Sequence, residues 1–322
     1  MLTTFIGRFL VAGALSLVAS SSFAQDRVSI AWTPSADIPQ IAQAIDKKLW
    51  AEQGLEVRVV PFPTGREALE ALIGGQVDFA SMAELPAVTA ALRQQKFAVL
   101  ARLSKYRGNR IIANGIDLKS ARDLAGRKVA LTVGTNSHFA LDWELDAAGV
   151  KAEVVNAAPP DIVPALSRGD VEAAVMFPSF FDQAKRVLGD KYRELITPDY
   201  VTNMLLVGTA DVIQRRPEQV KKLIAGLLKA DALVAQDPAG TQETIARVVG
   251  KVINVDAVRT AWPHYEYKVA LDKDLLTLMV REGQWIVKRG SVKNAEATEQ
   301  LFRSYISDAP LKTLAADRVQ LQ

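Results

Sequence analysis

The chain contains no cysteine. That excludes a thiol nucleophile, a cysteine-ligated zinc site, a disulfide framework and lipid attachment through an N-terminal cysteine. Histidine is almost as scarce: His138 and His264 are the two present, far apart and with no partner histidine one helical turn away. No metal ion and no cofactor are expected from such a set. Phosphate-cradling and hydrolase signatures are missing as well: there is no G-x-x-x-x-G-K-[ST], no G-x-G-x-x-G and no G-x-S-x-G. A strong excess of one charge is also lacking. The formal net charge is +3, with no Lys/Arg cluster of the kind that tracks a phosphate backbone, so no nucleic-acid partner is expected. Lys47-Lys48 and Lys221-Lys222 read as solvated helix faces.

What is present is an ordinary globular composition: 322 residues, 49% hydrophobic and 23% charged. This is enough apolar material for a full core without disulfide staples. The N-terminus reads as a secretory signal. Arg8 precedes an apolar run, Phe9 to Val18, and Ser22-Phe23-Ala24 fits the small-x-small cleavage rule. The run is too short to span a membrane with normal flanks. Residues 1–24 are therefore expected to be removed after Ala24, leaving a soluble, monomeric protein in the periplasm.

From Val28 onward the rhythm is strand, short polar turn, helix. VSIAW (28–32), LEVRVV (55–60), VDFA (77–80), Lys128 to Val133, Glu153 to Val155 and Glu172 to Phe177 read as strands. Each is followed by a helix-start signal. After Ala210 only helices are expected, over about 217–235, 238–249, 255–260, 273–287 and 295–307. Such alternation implies mostly parallel sheets covered on both faces. The unit recurs in 28–95 and 128–190, which suggests two similar lobes.

Ligands of open parallel sheets bind beyond the carboxyl ends of the strands. The candidates are therefore the residues just after each strand: Pro34 and Ser35, Thr64 and Gly65, Ala83 and Glu84, Thr135, Asn136, Ser137 and His138, Pro159, Phe177 and Pro178. Free N–H groups and the positive dipole end make helix N-termini seats for an anion. Ser, Thr and Asn are equally the preferred caps, so each position alone has an ordinary explanation. Trp32 and Phe177, at strand ends, are candidate pocket walls. Glu84 is the acid expected at the cleft mouth; Arg66, Arg107 and Arg110 are the candidate bases. The Ser137, His138 and Asp142 set raises a hydrolase reading, which the missing nucleophile elbow disfavours.

Four stretches carry a resemblance: PFPTGREALEALIGGQVDFASMAELPAV, DLAGRKVALTVGTNSHFALDWELDAAGV, VVNAAPPDIVPALSRGDVEAAVMFPSF and NMLLVGTADVIQRRPEQVKKLIAGLLKAD. Their order resembles that of periplasmic substrate-binding proteins of the nitrate/sulfonate/taurine ABC-importer class, the SsuA-like or NMT1/THI5-like family. The resemblance implies an α/β, two-lobed periplasmic binding protein fold of type II. Lobe I would comprise 26–113 plus 204–322 and lobe II 114–203, with crossovers near Ile112–Gly115 and Thr202–Leu205. It implies a small organic ligand held in the interlobe cleft and handed to an ABC permease in the inner membrane, with no catalysis. The contacts implied are Thr33–Ser35, Thr64–Gly65, Ala83–Glu84, Thr135–His138, Pro159–Pro160 and Phe177–Pro178. Where sulfonate binders tend to be glycine-like this chain has Glu84, which disfavours a sulfonate. Where many read W-D-P it has Met176-Phe177-Pro178, which implies a more apolar pocket for an alkyl or aromatic carboxylate or an amine. Two other roles remain on the same fold. One is an enzyme like those of thiamine-pyrimidine synthesis, whose cysteine-rich motif is absent here. The other is an extracytoplasmic sensor domain.

Overall fold

Two sheets organise the chain in a computed structural model that describes residues 26–197, 199–250 and 253–321. The expected signal segment and its cleavage point lie outside the described residues. In chain order, the first half runs β1 (Asp26–Trp32), α1 (Pro39–Asp46), β2 (Leu55–Pro61), α2 (Gly65–Ile73), β3 (Phe79–Ala83), α3 (Glu84–Leu92), β4 (Ala98–Tyr106), β5 (Arg110–Asn114), β6 (Lys128–Leu131) and α4 (Asn136–Ala148). It continues with β7 (Glu153–Asn156), α5 (Pro159–Arg168), β8 (Ala173–Val175), α6 (Phe181–Leu188), β9 (Tyr192–Ile196) and β10 (Thr202–Gly208). The last part holds α7 (Ala210–Arg215), α8 (Pro217–Gln236), α9 (Pro238–Val249), α10 (Val255–Ala261), β11 (Tyr265–Asp272), α11 (Lys273–Lys288), α12 (Glu299–Ser304), α13 (Ala309–Leu314) and β12 (Val319–Gln320).

The larger sheet has the order β12-β11-β4-β10-β3-β1-β2 and the smaller β7-β6-β8-β5-β9. β1 pairs in parallel with β2 and β3, and β6 with β7 and β8. These are the stretches built from strand–helix repeats, and β1 is buried along most of its length because helices cover both faces. The antiparallel pairs involve β4, β5, β9, β10 and β11, the strands around the two places where the chain changes sheet. Those changes occur between Tyr106 and Arg110 and between Ile196 and Thr202. The sequence placed them a few residues later, near 112–115 and 202–205. β5 is in the smaller sheet from its first residue and β10 is wholly in the larger one.

Three strands escaped the sequence reading, the shortest being β12, two residues that pair with β11 at the edge of the larger sheet. β11 lies in the segment expected to be all helical, and pairs with β4 from Tyr265 to Ala270. β9 is a polar strand on the edge of the smaller sheet, YRELI, with no apolar run to announce it. The helix boundaries follow local chemistry more closely. Prolines open α1, α5, α8 and α9, where the missing N–H costs nothing. Gly149 and Gly169 close α4 and α5 in left-handed conformation, φ +69 and +81.

The main core fills the helical layers around the larger sheet, and two smaller clusters cover the faces of the other sheet. Helix α4 belongs to both: Leu141 and Leu145 pack beneath the smaller sheet, whereas Phe139 and Ala140 enter the main core. No helix among the described residues is long and apolar enough to cross a membrane.

Candidate functional site

A cavity of about 300 Å³ lies between the sheets, the lower end of the size range for small-molecule sites. Every strand-to-helix loop singled out in the sequence contributes to it. From the larger sheet come Pro34 and Ser35 after β1, Gly65 and Arg66 after β2, and Met82 and Ala83 at the end of β3. From the smaller sheet come Thr135 and Asn136 after β6, Pro159 and Pro160 after β7, and Phe177 and Pro178 after β8. Asp37, Phe62, Tyr106 and Phe180 complete much of the wall, with Thr202 and Met204 of β10 at the back. Most of this surface is carbon.

Helices α2, α4 and α5 each bring an N-terminus to the cavity, and they are not equivalent. The first-turn amides of Gly65 and Arg66 in α2 and of Asn136 in α4 have no acceptor among the described residues. Helix α5 starts with Pro159-Pro160 and so offers ring carbons where N–H groups would be. Gly65 lets α2 come close: a Cβ there would sit 2.7 Å from Met82 Cβ. The two loops also meet across the cleft. A methyl on Gly134 would lie 3.7 Å from Arg66 Cδ, and the Asn136 side-chain amide donates to Thr202 Oγ1 at 3.2 Å. Arg66 is exposed and has no ion pair among the described residues, whereas Arg110 is tied to Glu194 at 2.8 Å and lies over Phe181.

Asp37 was not among the candidates read from the sequence. Its loop is pinned from the larger sheet: Ser104 Oγ donates to the Asp37 carbonyl, 2.5 Å, and Tyr267 OH to that of Ala36, 3.0 Å. The Tyr265 hydroxyl donates to Asp37 Oδ1. Burial is the largest influence on the carboxyl and raises its pKa, and the hydroxyls of Tyr265 and Ser35 only partly oppose it.

Five expected site residues do not line the cavity. Trp32 is 3% exposed and packs into the main core, because β1 is covered on both faces. Thr64 is a cap: its hydroxyl accepts from the Glu67 amide at 3.2 Å, the ordinary alternative for that position. Ser137 is buried in the first turn of α4. His138 packs edge-on against Trp285 of α11, ring centres 5.4 Å apart, and its Nδ1 faces the Gly134 amide. Burial and the nearby Arg289 guanidinium push its pKa down to about 4. Although Asp142 is 3.9 Å away, its charge is engaged by Arg289, so the imidazole is neutral at pH 7. No hydrogen bond joins Ser137 to His138, which removes the geometric basis of the hydrolase reading.

Glu84 is the largest correction. It has no exposed surface and turns away from the cleft. Tyr200 OH donates to Glu84 Oε1 at 2.5 Å and the Asn203 amide to Oε2 at 2.7 Å. Glu282 of α11, equally buried, lies against the same pair. Burial raises both carboxyl pKa values, and the charge on Glu84 adds to the rise at Glu282. Glu84 thus holds the return segment to the larger sheet, and it no longer speaks against a sulfonate. Among the described residues no cluster of three or more His, Asp or Glu could hold a metal ion.

The sequence profile of the NMT1/THI5-like family matches residues 36–241, well over half of the chain. The taurine-binding periplasmic protein of Escherichia coli (strain K12) is 29% identical over 167 residues, 51% of this chain and 52% of that protein. The match therefore spans about half the length of that relative. A putative aliphatic sulfonates-binding protein of the same organism is 26% identical over 196 residues, 59% of this chain and 61% of that one. Among solved structures, the alkanesulfonate-binding protein SsuA from Xanthomonas axonopodis pv. citri bound to MOPS superposes with a TM-score of 0.76 at 17% identity, covering 88% of this chain and 98% of that one. The periplasmic nitrate-binding protein NrtA from Synechocystis PCC 6803 gives 0.76 at 13% identity, covering 91% and 89%. These likenesses carry the two-lobed periplasmic binding protein fold, and the profile carries the descent: the chain belongs to the NMT1/THI5-like family.

Proposed function

We propose that this protein is the periplasmic solute-binding component of an ABC importer. It captures a small organic anion with an apolar or aromatic body and delivers it to a permease in the inner membrane. The observation that supports this most is the make-up of the cavity, which is walled by strand ends of both sheets. It is largely apolar, and it is served by unpaired first-turn amides from α2 on one side and α4 on the other. An anion there would be met by both helix dipoles and by Arg66, while Phe62, Phe177 and Phe180 would cover the rest of the molecule. Closure of the two halves around such a ligand would be stabilised by contacts that only the closed state makes. The names of the taurine-, sulfonate- and nitrate-binding relatives agree with an anionic head. Binding without turnover is favoured by two features of the wall. Thr135 Oγ1 is spent on the Thr132 carbonyl at 2.8 Å, and neither histidine lines the cavity to act as a base.

The test is a thermal-shift screen on the chain from Gln25 to Gln322, refolded to strip any carried ligand. The panel holds sulfonates, aliphatic and aromatic carboxylates, nitrate and neutral analogues. A true ligand at about a thousand times its dissociation constant should add about 4 kcal/mol, and it should be recovered chemically intact. Stabilisation by neutral analogues alone, or conversion of the ligand, would overturn the reading.

A further inference from the structure

The cavity wall holds two charged side chains, Asp37 and Arg66, and among the described residues neither has an ion-pair partner; Asp37 is the acid of the two. Its Oδ1 takes the Tyr265 hydroxyl and the Ser35 hydroxyl lies beside the carboxyl, but among the described residues no Lys, Arg or His is within ion-pair distance. The side chain is half-buried, lines the cavity, and sits on a wall of aromatic rings. Tyr106 and Tyr265 are 4.5 Å apart between ring centres, and Tyr265 and Tyr267 are stacked at 5.1 Å. A carboxylate withdrawn from water without a cation is costly, and a protein that keeps one at a cavity gains when the ligand supplies the charge. Aromatic faces beside it favour the same kind of group.

We propose that Asp37 recognises a cationic nitrogen on the ligand, so that this cavity takes zwitterions: an amino-sulfonate or amino-carboxylate, its ammonium on Asp37 and its anionic head toward Arg66 and the α2 and α4 amides. The assignment rests on the cavity being the ligand site, as proposed above. It makes Asp37 a specificity residue in both directions, because an anion without an amine would face an acid with nothing to offset it. The titratable groups around Asp37 are Tyr106 of β4 and Tyr265 and Tyr267 of β11; the facing residues of the smaller sheet, Asn136 and Phe180, carry no charge. Burial raises the pKa of Asp37, so an ammonium that arrives there pulls the carboxyl back toward the ionised form and releases part of a proton.

The experiment compares matched ligands by titration calorimetry on the full chain from Gln25: taurine against ethanesulfonate, and 4-(aminomethyl)benzoate against 4-methylbenzoate. In at least one pair the amine should bind tighter by about ten- to a hundredfold, the value of one charge-assisted contact. That preference should shrink as the pH falls from 8 to 4 and Asp37 takes up its proton. In Asp37→Asn, which still accepts from Tyr265, the ratio within the pair should drop to about one. The wild-type pH series reads the same contact without any substitution. Equal binding within both pairs, or a preference that survives both acid pH and Asp37→Asn, overturns the assignment and leaves the anion-binding reading standing. Binding of none of the four probes overturns both.

Discussion

A carboxyl group that faces a cavity without a cation costs the fold something, and Asp37 should show that cost when stability is followed against pH. Its pKa is raised in the folded protein. A raised pKa means that the folded state holds the proton more firmly than the unfolded chain does. The associated stability is complete below the ordinary carboxyl value and is lost as the pH rises through the folded value. Asp37→Asn removes this dependence and keeps an acceptor for the Tyr265 hydroxyl. Its melting temperature should match the wild type near pH 4 and exceed it by about 2 °C at pH 7.5, roughly the shift that 1 kcal/mol makes in a domain of this size. Parallel curves for the two proteins would show that the carboxyl is not perturbed. Asp37 could not be recognised from the sequence, where it stands two residues before Pro39 and looks like an ordinary residue at a helix start. Its position depends on Ser104, Tyr265 and Tyr267, which reach it from strands remote in the chain. Glu84 misled for the same reason in reverse: it follows a strand as a ligand contact would, but its partners Tyr200 and Glu282 come from distant segments.

At the level of the element, the cavity depends on how closely α2 approaches β3. Gly65 permits that approach, since any Cβ would have to displace the backbone-anchored Met82 Cβ at 2.7 Å. Gly65→Ala should therefore push the α2 N-terminus outward, costing about 1–3 kcal/mol as overpacking does. Because the displaced turn carries the Gly65 and Arg66 amides, affinity for an anionic probe should fall with it. The control is Gly75→Ala, where a Cβ meets nothing within 4 Å but the left-handed φ of +72 makes alanine strained. The control should cost stability without weakening the probe. Equal loss of affinity in the two variants would sink the argument for α2. The positions of the strand-to-helix loops were legible in the sequence because glycine, proline and hydroxyl side chains mark them locally. What each loop offers was legible only in part: the prolines of α5 announce that it has no amides to give, whereas Thr64 as cap rather than contact needed the structure. β9 and β11 went unseen because YRELI and YEYKVALD are rich in charged residues and lack a long apolar run, and pairing with β5 and β4 makes up for it.

For the molecule as a whole, the joint between the halves is more than the two segments on which the chain changes sheet. Helix α4 places Phe139 in the main core, where it meets Tyr200 and Trp285 with ring centres 5.0 and 5.1 Å away, while Leu141 and Leu145 stay under the smaller sheet. Around this contact Arg281 lies 4.1 Å over the Trp143 ring, and Arg289 of the α11 end pairs with the buried Asp142. Two lobes were readable from the repeated strand–turn–helix unit. The shared helix was not, because the residues of α4 that face the other half obey the same helical spacing as those that face their own. The Arg289–Asp142 pair gives a test of the joint with a definite pH sign. Arg289 is 41% exposed on its side chain and Asp142 only 7%. Arg289→Ala therefore leaves a nearly buried carboxylate without its cation, at a cost of about 1–2 kcal/mol at pH 7.5 after allowing for solvent at the arginine. Two influences on His138 change together in the variant: the guanidinium that depresses its pKa is gone, and the Asp142 carboxylate 3.9 Å away becomes free to pair with it. The histidine pKa should rise from about 4 toward or beyond its ordinary value. Protonation then restores a cation beside Asp142, so the stability gap between variant and wild type should narrow between pH 7.5 and 5. The wild type should lose stability over the same range, since a depressed histidine pKa makes the neutral form the stable one and acid opposes it. Denaturant unfolding of both proteins at the two pH values, with the His138 ring titrated by NMR, reads the two effects separately. An unchanged histidine pKa in Arg289→Ala would mean that burial alone holds it down and that Asp142 takes no part in the joint's response to acid.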